Sequence, residues 1–314
     1  MIARLLKSTA VRLLITAAIL LYLLKGVDPG ELAAALLHID PWWFAAALAL
    51  VAIDRGLMIV RWVLLLRSAG VMLPLKSAVW VFLVSSFVGS FLPAGVGGDA
   101  ARAYAVAART AQGTEAVASV AIDRVLGLVA IVALGAIGLA GWAQHLSAAM
   151  RWELTLVAAA VGALSVATLW TDQIVRVLVP GRHHAGRWAS RLLGLGDAVG
   201  AYRQRRGTLL LVFALSVAVQ VVRVLQGYCL GRGMAVDVGL SYYLVFMPVG
   251  LLLMLLPISI SGFGLPQGVM VWMLEPVGVR HADAFALSTM IVLLGLLGNL
   301  PGAFLYLVRK KPVD

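Results

Sequence analysis

Several charged residues of this chain sit inside apolar stretches, where charge is least expected. Asp54 and Arg55 lie about 13 residues into an apolar run that begins near Pro41. At 1.5 Å per residue this is roughly 20 Å deep, close to the middle of a hydrocarbon core about 30 Å thick. A charge at such a depth costs at least ~2.5 kcal/mol on insertion scales, so it is expected to face a bundle interior or a wet cavity. Arg61 follows two turns later on the same helix face. Arg223, with Gln220 and Gln226 at three-residue spacing, gives the run 207–230 a polar stripe. Asp99 and Arg102 follow a glycine-rich break, and Asp123-Arg124 opens the next apolar run. Arginines in this setting suit a phosphate or another anionic group, with Asp54 and Asp99 orienting them or relaying protons. The alternative chemistry is internal: a buried pair of Asp54 with an arginine, and Arg61 reaching for the interface.

Two apolar segments carry the same punctuation. The first reads Phe91-Leu-Pro-Ala-Gly-Val-Gly-Gly-Asp-Ala-Ala-Arg102, the second Leu255-Leu-Pro-Ile-Ser-Ile-Ser-Gly-Phe-Gly-Leu-Pro-Gln-Gly268. Their leading prolines, Pro93 and Pro257, stand 164 positions apart, about half the chain. Irregular backbone at membrane depth survives only where protein or a water-filled cavity satisfies it. Paired breaks in two halves point to a transporter's binding site, whereas simple kinks are the plainer reading. In the first break Gly95, Gly97 and Gly98 can take positive φ and let a headgroup approach the backbone. A half-helix starting after Gly98 would aim amide groups at an anion, with Asp99 as its cap. The second break offers Ser259, Ser261, Gly262, Gly264 and Gln267, which are donors without charge.

The elements that must position these residues are membrane spans. Of 314 residues 62% are hydrophobic and 12% charged, with mean hydropathy +0.99, far from the roughly 25% charge of soluble domains. The chain is therefore an all-α integral membrane protein. Its net charge of +11 lies mainly between apolar runs, so it reads as a topology signal and as contacts for anionic headgroups of the cytoplasmic leaflet, not for nucleic acid. Cys229 is the single cysteine, and the five histidines are scattered. No disulfide, metal or cofactor is expected. No Gly-x-Ser-x-Gly elbow, P-loop lysine or His-Glu-x-x-His is present, so an enzyme is not expected either.

Six segments have spanning length: about 8–24, 41–64, 117–141, 152–170, 207–230 and 283–308. The N-terminal run lacks a small-residue cleavage pattern and is read as a retained span. If the first broken segment, about 75–110, crossed completely, the arginine-rich loop 171–206 would fall outside the cell, against the positive-inside rule. Entering and leaving on the cytoplasmic side restores every basic stretch to the cytoplasm. The second broken segment, about 241–276, then enters from outside, and both termini are cytoplasmic. The expected fold is about six spans plus two oppositely oriented re-entrant hairpins. They form an inverted repeat in one domain, 1–314, with halves 41–141 and 207–308. Within 181–206, Trp188, Leu192, Leu193, Leu195, Val199 and Tyr202 suggest an amphipathic helix on the inner leaflet, or else a solvated basic linker.

Arg61-Trp-Val-Leu-Leu-Leu-Arg-Ser-Ala-Gly70, Leu92-Pro-Ala-Gly-Val-Gly-Gly-Asp-Ala-Ala-Arg102, Asp123-Arg-Val125 and Leu256-Pro-Ile-Ser-Ile-Ser-Gly-Phe-Gly264 together resemble the flippase-like membrane domain of lysylphosphatidylglycerol synthases. That domain also occurs alone in bacterial and archaeal proteins. The resemblance covers nearly the whole chain. It implies a multi-pass inner-membrane protein that moves, or helps to move, a lipid or lipid-linked molecule such as a hopanoid, glycolipid or anionic phospholipid. It also departs in two places. The chain stops at Asp314 without the soluble aminoacyl-transferase domain, so no lysyl-lipid synthesis is expected of it. Gln267 stands where the family has an acid. The expected headgroup contacts are Arg61, Gly97, Gly98, Asp99, Arg102, Asp123, Arg124, Ser261, Gly262, Gly264 and Gln267, with Asp54, Arg55 and Arg223 as further intramembrane polar groups. A non-transporting accessory subunit beside a pathway enzyme is the alternative, and an intramembrane lipid-modifying enzyme is third.

Overall fold

A computed structural model of the protein describes residues 30, 38–91, 96–110, 112–142, 147–178, 187–254 and 264–308, and among these every regular element is a helix. The expected span 8–24 and the turns 92–95 and 255–263 lie outside the described residues.

Helix α1 (Pro41–Ser68) begins at Asp40, whose carboxylate accepts the Trp42 amide at 2.8 Å, with Pro41 in the first helical position. Both devices deal with amides that have no partner within the helix. The helix ends at Gly70, where φ is +85° and the Val71 amide donates to the Leu66 carbonyl at 3.0 Å, a Schellman-type stop. Helices α2 (Leu75–Phe91) and α3 (Val96–Ala107) form a hairpin, followed by α4 (Gly113–Trp142). Helix α5 (Ala148–Ala167) continues through one 3-10 turn into α6 (Thr171–Leu178), and α7 (Arg187–Gly200) leads to the second set. That set is α8 (Arg206–Gly233), a hairpin of α9 (Leu240–Met254) and α10 (Leu265–Leu274), then α11 (His281–Leu297) and α12 (Leu300–Val308).

Among the described residues five stretches are long and apolar enough to cross a membrane: Pro41–Ser68, Gly113–Trp142, Arg151–Val175, Arg206–Gly233 and His281–Val308. They correspond to five of the six expected spans. Their outer surface shows Ile53, Val60, Ile137, Leu164, Leu210 and Leu307, while Asp54, Arg61, Arg102 and Asp123 are all under 5% exposed. Apolar outside and charged inside is the arrangement that lipid solvent imposes.

Helices α1 and α8 pack along each other and run antiparallel. The Asp40 amide donates to the Gly233 carbonyl at one end (2.9 Å), and the Tyr202 hydroxyl donates to the Leu65 carbonyl at the other (3.0 Å). Each hairpin begins and ends beside the C-terminus of its own long helix. In the first, Arg109 just past α3 stacks 5.4 Å from the Trp80 ring near the start of α2. In the second, Tyr242 at the start of α9 donates to the Met273 carbonyl at the end of α10. Because α1 and α8 are antiparallel, the two hairpins open at opposite ends of the bundle.

The turn that ends α8 repeats the one that ends α1. The Val236 amide donates to the Gly231 carbonyl at 2.8 Å, and Ala235 takes φ +56° where the first half has Gly70. Counted along the sequence from these two turns, Arg102 corresponds to Gln267 and Asp123 to Ser288. An alanine in the left-handed region is strained by roughly 1–2 kcal/mol. Ala235→Gly is therefore expected to stabilise the protein by about 0.5–1 kcal/mol after the added chain entropy, which thermal unfolding in detergent would read as a raised midpoint.

The halves grip each other reciprocally. Gly138 of α4 lies against the Leu244 carbonyl of α9, and Gly302 of α12 lies against the Leu83 carbonyl of α2. Small residues let helix backbones approach this closely. On the arginine-rich side, Val199 and Tyr202 pack with Leu65, Ala118 and Ile122, whereas Leu192 is 52% exposed. The basic loop thus contains a helix that docks one edge on the bundle. Burial pushes the Tyr202 phenol up to about 12, so it remains a protonated donor to Leu65 at any ordinary pH.

Candidate anion-binding cavity

A cavity of about 360 Å³ lies among α1, α2, α3, α4, α8, α9 and α11. Its charged lining falls into two groups. In the first, Asp123 bridges two arginines: Arg61 Nε donates to one carboxylate oxygen at 2.6 Å and Arg102 Nη2 to the other at 3.3 Å. Arg61 Nη1 also donates to Ser216 Oγ at 3.0 Å. Asp99 accepts from Arg102 Nη2 at 3.0 Å and from Arg124 Nε. In the second group, Asp54 accepts from Arg223 Nε at 2.9 Å and meets Arg55 Nη1 at 3.5 Å. Arg55 also donates to the carbonyls of Gly298 (3.3 Å) and Gly295 (3.2 Å), the C-terminal end of α11.

The two groups differ in what each arginine can do. Arg61 and Arg102 are under 5% exposed, and the Arg102 guanidinium lies over the adjacent rings of Trp62 (4.9 Å) and Phe82 (5.2 Å). Such pairing and cation–π contact fix a guanidinium in place. Arg61 therefore does not snorkel, and both residues position Asp123. The side chains of Arg124, Arg223 and Arg55 are more open, at 39%, 22% and 18%, and they present charge to the cavity. The serines of α2 (Ser85, Ser86 and Ser90) line the same space.

The sequence-derived residues are distributed unevenly. Arg61, Gly98, Asp99, Arg102, Asp123 and Arg124 all reach the cavity, as do Asp54, Arg55 and Arg223. Gly97 lies in the first turn of α3 and is not part of the lining. Neither Gly97 nor Gly98 has positive φ, because α3 begins at Val96 and includes both. Gly98 is needed small instead. A Cβ there would stand 2.8 Å from the Ser85 carbonyl oxygen, and one on Gly89 would stand 2.6 Å from Gly98 Cα. Asp99 sits inside the first turn of α3 and binds arginines instead of capping.

Gly264 and Gln267 stand apart from the cavity lining. Gly264 has φ +99° at the start of α10, and its amide donates to Gln267 Oε1 at 2.9 Å, while Gln267 Nε2 donates to Thr289 Oγ1 at 2.8 Å. Glutamine here closes a helix end. Ser261 and Gly262 lie outside the described residues. Sequence reasoning missed Ser216, Met58 and Asn299. Ser216 stands one turn before Gln220, so it continues the Gln220–Arg223 stripe and was within reach of that pattern. Asn299 sits between α11 and α12 and donates to Ser90 Oγ at 2.7 Å. That third break was masked by its apolar neighbours.

Four buried atoms of cavity-lining residues have no hydrogen-bond partner among the described residues: Arg102 Nε, Gln220 Oε1, Gln226 Nε2 and Asn299 Oδ1. Orphaned polar atoms cost about 1–3 kcal/mol each, so this interior is suited to a polar occupant and not to apolar filling. Among the described residues no group of acids, histidines and cysteine has the makings of a metal site.

A bundle of membrane-length helices with an apolar surface and charged interior cavity defines a multi-pass α-helical membrane protein. The sequence profile described as Lysylphosphatidylglycerol synthase TM region matches residues 9–302. The chain belongs to that family. No curated protein matches it.

Proposed function

We propose that the protein moves a lipid or lipid-linked molecule with an anionic headgroup between the leaflets of the bacterial inner membrane, without altering it chemically. The observation that carries this reading is the cavity: five arginines against three aspartates, enclosed by the long helices and by α2, α3 and α9. Re-entrant hairpins would let the headgroup cross through the polar interior while its chains stay in lipid. The arginine-rich end around Arg187, Arg203, Arg205 and Arg206 would face the cytoplasm under the positive-inside rule, which also places both termini there.

Reconstitution in proteoliposomes tests it, with headgroup accessibility followed for a panel of anionic and isoprenoid lipids. The wild-type chain is expected to equilibrate at least one of them between leaflets. Arg124→Gln is expected to slow that step about tenfold or more, a barrier change of about 1.4 kcal/mol, with an unchanged melting temperature, because its side chain is partly open. No movement of any lipid by the wild-type chain would overturn the proposal.

A further inference from the structure

We infer that Met58 holds the place of a ligand oxygen: a phosphate-type oxyanion binds between Arg55 and Arg223 by displacing the Met58 thioether from them. This rests on the reading that the cavity takes an anionic headgroup, and it names the atoms that receive it.

Two guanidinium groups converge on one poor acceptor in the cavity lining. Arg223 Nη2 lies 3.1 Å and Arg55 Nη1 3.7 Å from the Met58 sulfur. A thioether accepts hydrogen bonds only weakly, and its unbranched side chain is flexible. An oxyanion oxygen in the same place would receive charge-assisted bonds from both arginines, which are far stronger. The exchange therefore favours the anion, and the sulfur moves aside at little cost.

Both arginines are already set for that exchange. Asp54 accepts from Arg223 Nε at 2.9 Å, which turns the outer edge of the fork toward Met58. Arg55 is tied through Nε to the Gly298 carbonyl (3.3 Å) and through Nη2 to the Gly295 carbonyl (3.2 Å). Its Nη1, which meets Asp54 at 3.5 Å, is thereby turned to the sulfur. Donors fixed in advance lose little freedom when a ligand arrives.

The place also has a distinct position in the fold. Helices α1 and α8 are each 28 residues long, and Met58 and Arg223 are each the eighteenth residue. Equivalent positions of two antiparallel repeats meet on the axis that relates them. A ligand oxygen held there touches both halves, through Arg55 of the first and Arg223 of the second. Rocking of one half against the other turns about such a point and leaves it in place.

The test reads the methionine directly. Purified full-length protein with isotope-labelled methionine methyl groups is studied by NMR in maltoside micelles, which carry no phosphate. Met58→Leu identifies the Met58 signal. Short-chain phosphatidylglycerol, short-chain phosphatidic acid and inorganic phosphate are titrated in turn, with diacylglycerol of the same tails as the uncharged control. At least one of the three phosphates is expected to shift the Met58 signal, while diacylglycerol leaves it unchanged and the exposed Met72 does not respond. A shift by lipid at concentrations where inorganic phosphate has no effect assigns the place to a headgroup. A shift by inorganic phosphate at equal or lower concentration assigns it to a free anion and removes the headgroup. Met58→Gln sets a carbonyl oxygen of its own against both arginines and is expected to weaken binding of the effective phosphate about tenfold. Met58→Leu keeps the volume without the acceptor and should bind at least as tightly as the wild type. No shift of Met58 with any of the three phosphates would overturn the inference, as would equal binding by the two variants at wild-type melting temperature. Lipids that cross in proteoliposomes equally well with Met58→Gln would sink this inference and leave transport standing. A Met58 shift without crossing would do the reverse.

Discussion

Replacing Asp123 with asparagine is expected to destabilise the protein by about 3–5 kcal/mol, the usual result of removing one partner from a buried ion pair. Asp123 is 2% exposed and is the shared partner of Arg61 and Arg102, which are themselves buried. Asparagine preserves the shape and one acceptor oxygen but leaves the two arginines short of a negative charge. Chemical denaturation in detergent would read the loss as a lower midpoint with an unchanged slope. A second measurement separates charge from packing. Replacing Arg61, Arg102 and Asp123 together by apolar residues of similar volume should recover most of the lost stability, because a well-packed apolar substitute for a buried ionic cluster is often neutral or better. That triple variant should still fail in lipid movement, because it no longer orients Asp99 and Arg124. If Asp123→Asn melted like the wild type, the cluster would be solvated and the account of the cavity would need revision.

The second large effect concerns the interface between the halves. Gly138→Ala and Gly302→Ala are each expected to cost about 1–3 kcal/mol, since an added Cβ at either position overlaps a backbone carbonyl oxygen of the opposite half. A carbonyl in a helix cannot turn away as a side chain could, so the helices must separate. The two costs should be nearly additive by position, because Gly138 meets α9 and Gly302 meets α2. Gly141, which has open space around its Cβ, should tolerate alanine and serves as the control. Thermal unfolding of the three variants, with proteoliposome transport measured alongside, checks this. Full stability in Gly302→Ala would mean that α2 and α12 are not in tight contact.

Much of this was readable from residue types. Spans follow from length and apolarity, and five of the six expected ones are long apolar helices. The charged cluster was legible because Asp54, Arg61, Asp99, Arg102, Asp123 and Arg124 have no good reason to sit in apolar surroundings unless they meet one another. The family resemblance, carried by those motifs, agrees with the profile match over residues 9–302.

What escaped the sequence has physical causes. Gly98 was read through its dihedral freedom, whereas its role is closeness to Ser85 and Gly89, which depends on a neighbouring helix. Gln267 was grouped with donors to a headgroup because it follows a glycine-rich break. Its amide instead ties Gly264 to Thr289, a local closure that a glutamine three residues into a helix can make wherever the turn permits. The register between the halves was hidden because it is retained in helix lengths and in the turns at Gly70 and Ala235, not in residue identity. Only a backbone shows that Ala235 has taken a conformation natural to glycine.

The reciprocal grip of the halves has a consequence for how the chain is made. The first hairpin packs through Leu83 against Gly302, more than two hundred residues later in the sequence. At synthesis rates of about 5–20 residues per second, that hairpin waits roughly 10–45 s for its partner. During this interval Ser85, Ser86, Asp99 and Arg102 are held by the first half alone, with the cavity still unwalled on the side of α8, α9 and α11. The cavity is walled on every side only once Gly302 and its helix have been made, and the membrane insertion machinery must shelter an arginine-bearing half-structure until then.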